Sequence, residues 1–269
     1  MDFDKNYLLI DDDLHRLLDA DMYLYVAHAY CMAGQCRIRY NEQDFLFKEG
    51  DLLLVPAMKL VQEVEPAEGF RVMAVYAHSD FRTLCIPNSN YGPRASMSLM
   101  LNPIIPLQGW EREACLRDMQ NIRFRYEGDE NEFYPDIMMN AMQALILDCY
   151  QFHVHGGQGQ RISPIHAGLM GSFMQMLERG AFREHRDIGY YASELCVSTK
   201  YFSELCKRLS GHTASQWINR YAVLEMRRLL KDTTLSMSEI ADYFCFSSPS
   251  HFTHFFYGQT GILPSDFRK

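Results

Sequence analysis

The sequence predicts an α+β protein built from two parts. The first is an N-terminal antiparallel β-barrel followed by a helical hairpin. The second is an all-α C-terminal domain in which a long helix joins two helix-turn-helix units. Three observations predict this class: short alternating apolar segments run to about residue 85, helical spacing begins at Trp110, and the last third of the chain contains an internal repeat.

Composition places the chain among soluble globular proteins. Its 269 residues are 48% hydrophobic and 22% charged, which excludes a disordered chain, a collagen-like fibre and a small disulfide scaffold. The start of the sequence lacks the pattern of a signal peptide, and no apolar run approaches the roughly 18 residues of a membrane span. The eight cysteines show no regular spacing. We therefore expect free thiols, a cytoplasmic location and no membrane partner.

Charge is distributed unevenly along the chain. The net charge is −8, but residues 164–269 carry 12 Lys and Arg against 10 Asp and Glu, whereas residues 1–163 carry 14 against 24. An acidic first part joined to a mildly basic second part indicates two domains with different partners.

The first part is predicted to be a small antiparallel barrel, a fold that can enclose a ligand. Its short apolar or alternating segments are rich in Tyr, Val, Ile and Phe and are separated by turn signals. The predicted strands are Met22–Cys31, Gln35–Tyr40, Gln43–Phe47, Leu52–Pro56 and Phe70–Ala77.

Two amphipathic helices are predicted to follow the strands. Apolar residues recur at intervals of three and four from Leu116 to Phe124 and again from Ile137 to Cys149, and a polar break at residues 127–131 separates them. The helix over 136–150 carries a stripe rich in Met, Leu and Ile. This stripe either packs on the barrel or forms a seam between two copies of the chain.

A glycine-rich polar segment marks the boundary between the domains. Residues 156–160 read Gly-Gly-Gln-Gly-Gln, and Ser163-Pro164 is typical of a helix start. We therefore predict a domain over 1–155, a linker over 156–163 and a helical domain over 164–269.

The most informative feature is the internal repeat. Residues 191–198 (YASELCVS) align with residues 240–247 (IADYFCFS), and a second segment aligns after one inserted residue. In each copy a small Ala allows close helix crossing, two apolar residues fill the turn, Ser begins the next helix and Gly ends it. Such a unit is a helix-turn-helix, although apolar spacing alone also fits an ordinary pair of α-hairpins.

A rigid helix is predicted between the two copies. Thr213-x-x-Gln216 resembles a capping box that opens a helix over 214–231, about 27 Å long, and Ser236-x-x-Glu239 caps the helix after it. A rod of this length holds two recognition helices near the ~34 Å spacing of successive major-groove segments on one face of DNA.

The repeat resembles the DNA-binding domain of AraC/XylS-type transcription regulators over residues 164–269. Residues 191–211 and Ala214-x-x-Trp217-Ile218 match the first half of that domain. The second half is matched by Ile240-Ala241-x-x-Phe244-x-Phe246-x-x-x-Ser250-x-Phe252-x-x-x-Phe256 and Gly261-x-x-Pro264-x-x-Phe267-Arg268. The resemblance implies a cupin-like N-terminal domain with dimerisation helices, a small-molecule effector, promoter DNA as partner, a homodimer, and contact with RNA polymerase if the protein is an activator.

The resemblance also indicates which residues of the first unit meet DNA. Lys200, Ser203 and Glu204 occupy positions at which the family reads base edges. Lys207 and Arg208 are better placed for phosphates, which position a protein without specifying sequence. A solvated helix face, with Glu204 paired locally, is the alternative.

The second unit departs from the family pattern. His254, Tyr257 and Gly258 stand where basic residues are usual, and Cys245 stands where the turn usually has Gly or Asn. The candidate base readers are therefore Ser250, Thr253 and His254, which carry no formal charge. Fewer phosphate contacts weaken binding and its salt dependence, so we expect the first unit to dominate affinity.

Candidate effector residues in the first domain are Tyr25, His28, Arg37 and Tyr40, which lie on predicted strands. Polar and aromatic side chains of this kind are typical of small-molecule pockets. Alternation does not say which face of a strand points inwards, so surface or core positions stay open for each.

Two other functions fit parts of the sequence. A cupin-type metalloenzyme needs several His and a Glu around one metal, whereas the strands offer only His28 and His78, and His153 and His155 follow a helix. No catalytic motif is present, so we expect no enzyme activity, no catalytic residue, no metal and no cofactor. An adaptor that binds protein instead of DNA is the other alternative, given the weak second unit.

Overall fold

The computed structural model describes residues 5–86, 95, 98–128, 131–156 and 163–268. The chain divides into two compact units, residues 1–168 and 169–269, and each is described by itself. Residues 157–162, most of the predicted linker, lie outside the described residues. Within the described ranges, no helix combines the length and apolar character needed to span a bilayer.

The N-terminal unit is built on antiparallel strands. Their bounds are β1 (Leu8–Asp11), β2 (Tyr25–Ala33), β3 (Gln35–Tyr40), β4 (Gln43–Lys48), β5 (Asp51–Val55), β6 (Val61–Pro66), β7 (Arg71–His78) and β8 (Ile104–Pro106). A five-stranded sheet has the order β1-β7-β2-β5-β8, and a three-stranded sheet has the order β4-β3-β6. The five predicted strands are confirmed with small shifts at their ends, whereas β1, β6 and β8 were not predicted.

The strands form two sheets, and the predicted barrel is not closed among the described residues. The register of β2 against β7 shifts between Cys31 and Ala33, and Gly34 follows with a φ of +72°. A Cβ at Gly34 would lie 3.0 Å from the Cα of Phe70, so only glycine fits this sharp turn. The chain therefore leaves one sheet here and starts the other, in an arrangement that remains cupin-like.

Helices cover one face of the five-stranded sheet. They are α1 (Ser79–Cys85), α2 (Trp110–Tyr126) and α3 (Tyr134–His155). Helices α2 and α3 pack against each other, and α1 packs against α3. Alternate residues of the strands, such as Val26 and Leu54, join the helices in one core. The predicted helical hairpin is confirmed.

The methionine-rich stripe of α3 belongs to this core. Met138, Met142 and Leu145 are fully buried, and Ala141 and Ile146 are almost so. Of the two roles predicted for the stripe, packing on the sheet is confirmed. A seam between two copies built on these buried residues is contradicted, because their apolar surface is already covered within one chain.

The C-terminal unit is helical in its described residues. Its helices are α4 (Pro164–Glu178), α5 (Ile188–Glu194), α6 (Thr199–Ser210), α7 (Ala214–Lys231), α8 (Met237–Tyr243), α9 (Pro249–Thr260) and α10 (Pro264–Phe267). Phe173 packs edge-to-face on Tyr191 and Phe202 at ring-centroid distances of 5.4 and 4.9 Å. These contacts and the buried Trp217 of α7 form the core around which the two repeats are arranged.

Candidate nucleic-acid interface and effector cavity

The first helix-turn-helix unit consists of α5, a tight turn and α6. Cys196 in the turn has a φ of +54°. Its N–H donates to the Ser193 carbonyl at 3.0 Å, and the Val197 N–H donates to the Ala192 carbonyl at 2.9 Å. The Ser198 hydroxyl then accepts from the Tyr201 N–H at 3.3 Å and begins α6. The turn thereby fixes the direction of α6 relative to α5.

The second unit, α8 with α9, repeats this geometry. Cys245 has a φ of +52°, and the N–H groups of Cys245 and Phe246 donate to the Asp242 and Ala241 carbonyls, both at 2.9 Å. The Ser248 hydroxyl accepts from the His251 N–H at 3.2 Å and begins α9. The internal repeat found in the sequence is therefore also a structural repeat.

The ends of α6 and α9 match as well. Gly211 and Gly261 are left-handed, with φ of +75° and +72°. Just before each glycine, a hydroxyl donates to the carbonyl one turn back: Ser210 to Cys206 and Thr260 to Phe256, both at 2.8 Å. Ser210 also accepts from the indole N–H of Trp217 at 2.7 Å. Sequence reasoning found the glycines but missed these hydroxyls, although both precede the glycine directly.

Helix α6 presents a charged outer face. Phe202, Leu205 and Cys206 are buried, and the predicted DNA-binding residues lie on the opposite side. Lys200, Glu204, Lys207 and Arg208 are exposed, and Ser203 is half-buried. The structure therefore brings these five residues together on one solvent-facing surface with a net positive charge.

Helix α9 presents a neutral outer face. Phe252 and Phe256 are buried, and the predicted readers Ser250, Thr253 and His254 line a shallow surface concavity together with Tyr257 and Leu263. Tyr257 is half exposed, and sequence reasoning did not name it as a contact residue. Gly258 faces open space, since a Cβ there would meet no atom within 4 Å.

The long helix α7 holds the second unit through a buried carboxylate. The predicted capping box of Thr213 and Gln216 is confirmed at its start. Near its middle, Glu225 accepts from Arg183 Nη2 at 2.7 Å and from the Tyr243 hydroxyl of α8 at 2.9 Å. Because Glu225 is 4% exposed, these charge-assisted bonds fix α8 on α7.

Arg186 ties the turn of the second unit to the same framework. Its Nη1 donates to the carbonyls of Arg183 at 2.6 Å and Phe244 at 2.5 Å. Its guanidinium lies 4.1 Å from the ring centroid of Phe246. A cation stacked on the ring that fills the turn stabilises the geometry on which the direction of α9 depends.

The N-terminal unit contains a cavity between the five-stranded sheet and helices α1 and α3. It encloses about 470 Å³ of space not occupied by atoms. Most of its wall is apolar, and four polar side chains also reach it: His28 from β2, Arg82 from α1, and Tyr150 and His153 from α3. This composition is typical of a small-molecule site.

The predicted effector residues are not brought together. His28 lines the cavity, whereas the Tyr25 hydroxyl donates to the Asn6 carbonyl at 2.6 Å. Arg37 lies on the outer sheet and pairs with Glu65 at 2.7 Å and with Asp44 at 3.1 Å. Tyr40 is fully buried away from the cavity lining. Arg82, which the sequence analysis did not name, shares the cavity with His28.

Cysteine and histidine positions were the remaining candidates for chemistry. All eight cysteines are free thiols, six of them buried, with only Cys196 and Cys245 exposed. Among the described residues, no three His, Cys, Asp or Glu side chains are grouped as a metal site would require. His153 is buried at the cavity, while His155 contacts Glu111 at 3.2 Å.

Two family profiles match the two parts of the chain. A profile described as an AraC-like ligand binding domain matches residues 28–120, and one described as a helix-turn-helix domain matches residues 191–269. Together they cover well over half of the sequence. The chain belongs to the AraC family of transcription regulators. As an AraC-type protein, it is a DNA-binding regulator with a ligand-binding domain.

Solved structures with a similar arrangement include other regulators. ToxT from Vibrio cholerae is 11% identical, with a TM-score of 0.48, over 97% of this chain and 93% of ToxT. The DNA-binding domain of AdpA in complex with a target DNA is 28% identical, with a TM-score of 0.33, over 37% of this chain and 88% of that one. The AraC-like transcriptional activator CuxR is 11% identical, with a TM-score of 0.39, over 86% and 79%. No curated protein sequence gives a significant match. The AraC-family assignment rests on the two profiles.

Proposed function

We propose that this AraC-family protein binds promoter DNA as a homodimer in the cytoplasm, that each chain places α6 and α9 in successive major-groove segments, and that a small effector occupies the cavity. The observation that carries the proposal is the structural repeat, in which two matching units each present a helix with one buried and one polar face. We take 1–155 as the effector and dimerisation domain, 156–163 as the linker and 164–269 as the DNA-binding domain, and propose that the chain catalyses no reaction.

The first recognition helix supplies most of the affinity in this proposal. Lys200, Ser203 and Glu204 read base edges, with Lys donating to guanine and Glu accepting from cytosine. Lys207 and Arg208 contact phosphates. Their exposure on one face of α6 supports these roles.

The second recognition helix supplies specificity with little charge. Ser250, Thr253 and His254 meet base edges from a surface without a formal positive charge. Because phosphate neutralisation dominates the salt dependence of DNA binding, α9 adds little to that dependence.

Binding to a duplex enriched from a random library tests this ordering. Lys200→Ala is expected to lower affinity by about tenfold, since one good base contact contributes about 1–3 kcal/mol. His254→Ala is expected to lower it less, and the control Lys231→Ala, which lies outside both recognition helices, leaves it unchanged. Anisotropy titrations at several salt concentrations measure all three. Intact binding by Lys200→Ala with loss of binding by His254→Ala would reverse the ordering.

The face of α3 that points away from the core supports the dimer. Residues at alternating intervals of four and three lie along it: Phe133, Ile137, Asn140, Ala144, Leu147, Gln151 and Val154. Phe133 is 61% exposed, Leu147 48% and Val154 53%. A mostly apolar heptad stripe left open to solvent is typical of a helix that packs on a second copy of itself. We therefore place the dimer seam on this face, opposite the buried methionine stripe.

A further inference from the structure

The cavity in the N-terminal unit has an unusual distribution of polarity. Val26, Leu54, Ile146 and several other apolar residues form most of its wall. Its volume of about 470 Å³ falls in the range of small-molecule sites, roughly 300–1,000 Å³. An apolar body of moderate size therefore fits the larger part of the space.

One wall of the cavity carries an unneutralised positive charge. Arg82 reaches it from α1, and among the described residues no carboxylate pairs with this guanidinium and its Nε has no hydrogen-bond partner. Residues 86–98, the segment that follows α1, contain no Asp or Glu. A partly buried cation without a partner is costly unless an anion completes it.

His28 adds a second unsatisfied group in the same place. It is 3% exposed, and its Nδ1 has no hydrogen-bond partner among the described residues. Burial lowers the pKa of His28 to about 4, and the nearby charge of Arg82 lowers it further in the same direction. Buried polar atoms are nearly always satisfied in native proteins, so Nδ1 marks a position where a ligand atom belongs.

We propose that the cavity binds an apolar monocarboxylate, with the carboxylate paired to Arg82 beside His28 and the hydrocarbon body against the apolar wall. The guanidinium fork matches a carboxylate in a bidentate geometry. A phosphate group, with its larger charge, would keep an uncompensated negative charge in an apolar space that holds one guanidinium. The inference rests on the proposed role of this unit as the effector domain and names the class of effector.

Calorimetric titration of the full chain with octanoate, decanoate and 4-phenylbutanoate tests the assignment. 1-Octanol and octylammonium serve as uncharged and cationic probes of the same length as octanoate. The variant is Arg82→Gln, which removes the charge and keeps much of the side-chain length. The matched control is Arg71→Gln, because Arg71 is exposed on β7 and does not line the cavity.

The carboxylates are expected to bind wild type and Arg71→Gln equally, and Arg82→Gln at least tenfold more weakly. 1-Octanol is expected to bind weakly to all three, without the difference. Equal carboxylate affinity for wild type and Arg82→Gln, equal affinity of wild type for octanol and octanoate, or no binding of any carboxylate would overturn the assignment. DNA affinity without ligand, measured on the same variants, is expected to stay at the wild-type value, and its loss would count against the proposed DNA-binding function instead.

Discussion

Two cysteines show how a single residue sets the geometry of a recognition unit. Cys196 and Cys245 stand at equivalent turn positions with φ near +50°, where a side chain other than glycine is strained. Left-handed backbone costs an L-residue about 1–2 kcal/mol. Both units hold this strained turn because the N–H groups of the turn bond back to the preceding helix.

Replacement of Cys245 by glycine is expected to stabilise the protein. Cys245→Gly removes the left-handed strain but adds freedom to the unfolded chain, so the free energy of unfolding is expected to rise by about 0.5–1 kcal/mol. Urea unfolding measures it. Cys245→Ala serves as the control, because it removes the thiol and keeps the strain. An equal gain for alanine and glycine would show that the thiol, and not the backbone, is responsible.

At the scale of elements, the packing of α2 on α3 contains a carboxylate pair. Burial raises the pKa of Asp118 to about 6, and the neighbouring Asp148 raises it in the same direction, against a smaller lowering by Arg117. The folded protein therefore binds a proton more tightly at Asp118 than the unfolded chain does. Stability falls as pH rises from the unfolded pKa of about 4 towards 6.

Asp118→Asn is expected to remove this pH dependence from the helical hairpin. Relative to wild type, the variant gains roughly 2 kcal/mol in free energy of unfolding at pH 7.5 and gains nothing at pH 4. Urea unfolding at both pH values measures the difference. Asp136→Asn, an exposed carboxylate on the same helix pair, is the control. A gain of the same size at pH 4 would assign the effect to packing instead of ionisation.

The elements also show what could be read from the sequence. The helix-turn-helix units, both capping boxes and the bounds of α7 were predicted because capping residues and helical periodicity are local signals. Strand β6 was missed because it alternates valine with polar residues on a half-exposed sheet, and β8 was missed because it spans three residues. The open sheets follow from the turn at Gly34, and periodicity does not reveal how sheets close.

Site residues depended on tertiary structure in the same way. The outward face of α6 follows from its spacing, so the residues predicted for it lie together. The cavity residue Arg82 lies on a short helix that meets the sheet only in the folded unit, and no local pattern marks it. On α3 the sequence analysis singled out the more apolar face, which is the core, whereas the opposite face carries the exposed heptad stripe.

For the whole molecule, the exposed stripe on α3 predicts the oligomeric state. Leu147→Glu places a charge in the proposed seam, where two copies would bring like charges together in an apolar contact, and is expected to convert dimers into monomers. Analytical ultracentrifugation across a range of concentrations measures the change. Gln35→Glu, on the exposed edge of β3, adds the same charge elsewhere and is expected to leave the dimer intact. A Leu147→Glu protein that remains dimeric would remove the seam from this face.

The two-unit arrangement is tested most directly by selection from a random duplex library with the full chain, followed by sequencing. Two recognition helices per chain predict two short enriched elements separated by about one helical turn, roughly 10 base pairs. The element read by α6 is expected to be the more strongly enriched of the two. Enrichment of one short element alone would contradict base reading by α9, and no enrichment at low salt would contradict sequence-specific DNA binding itself.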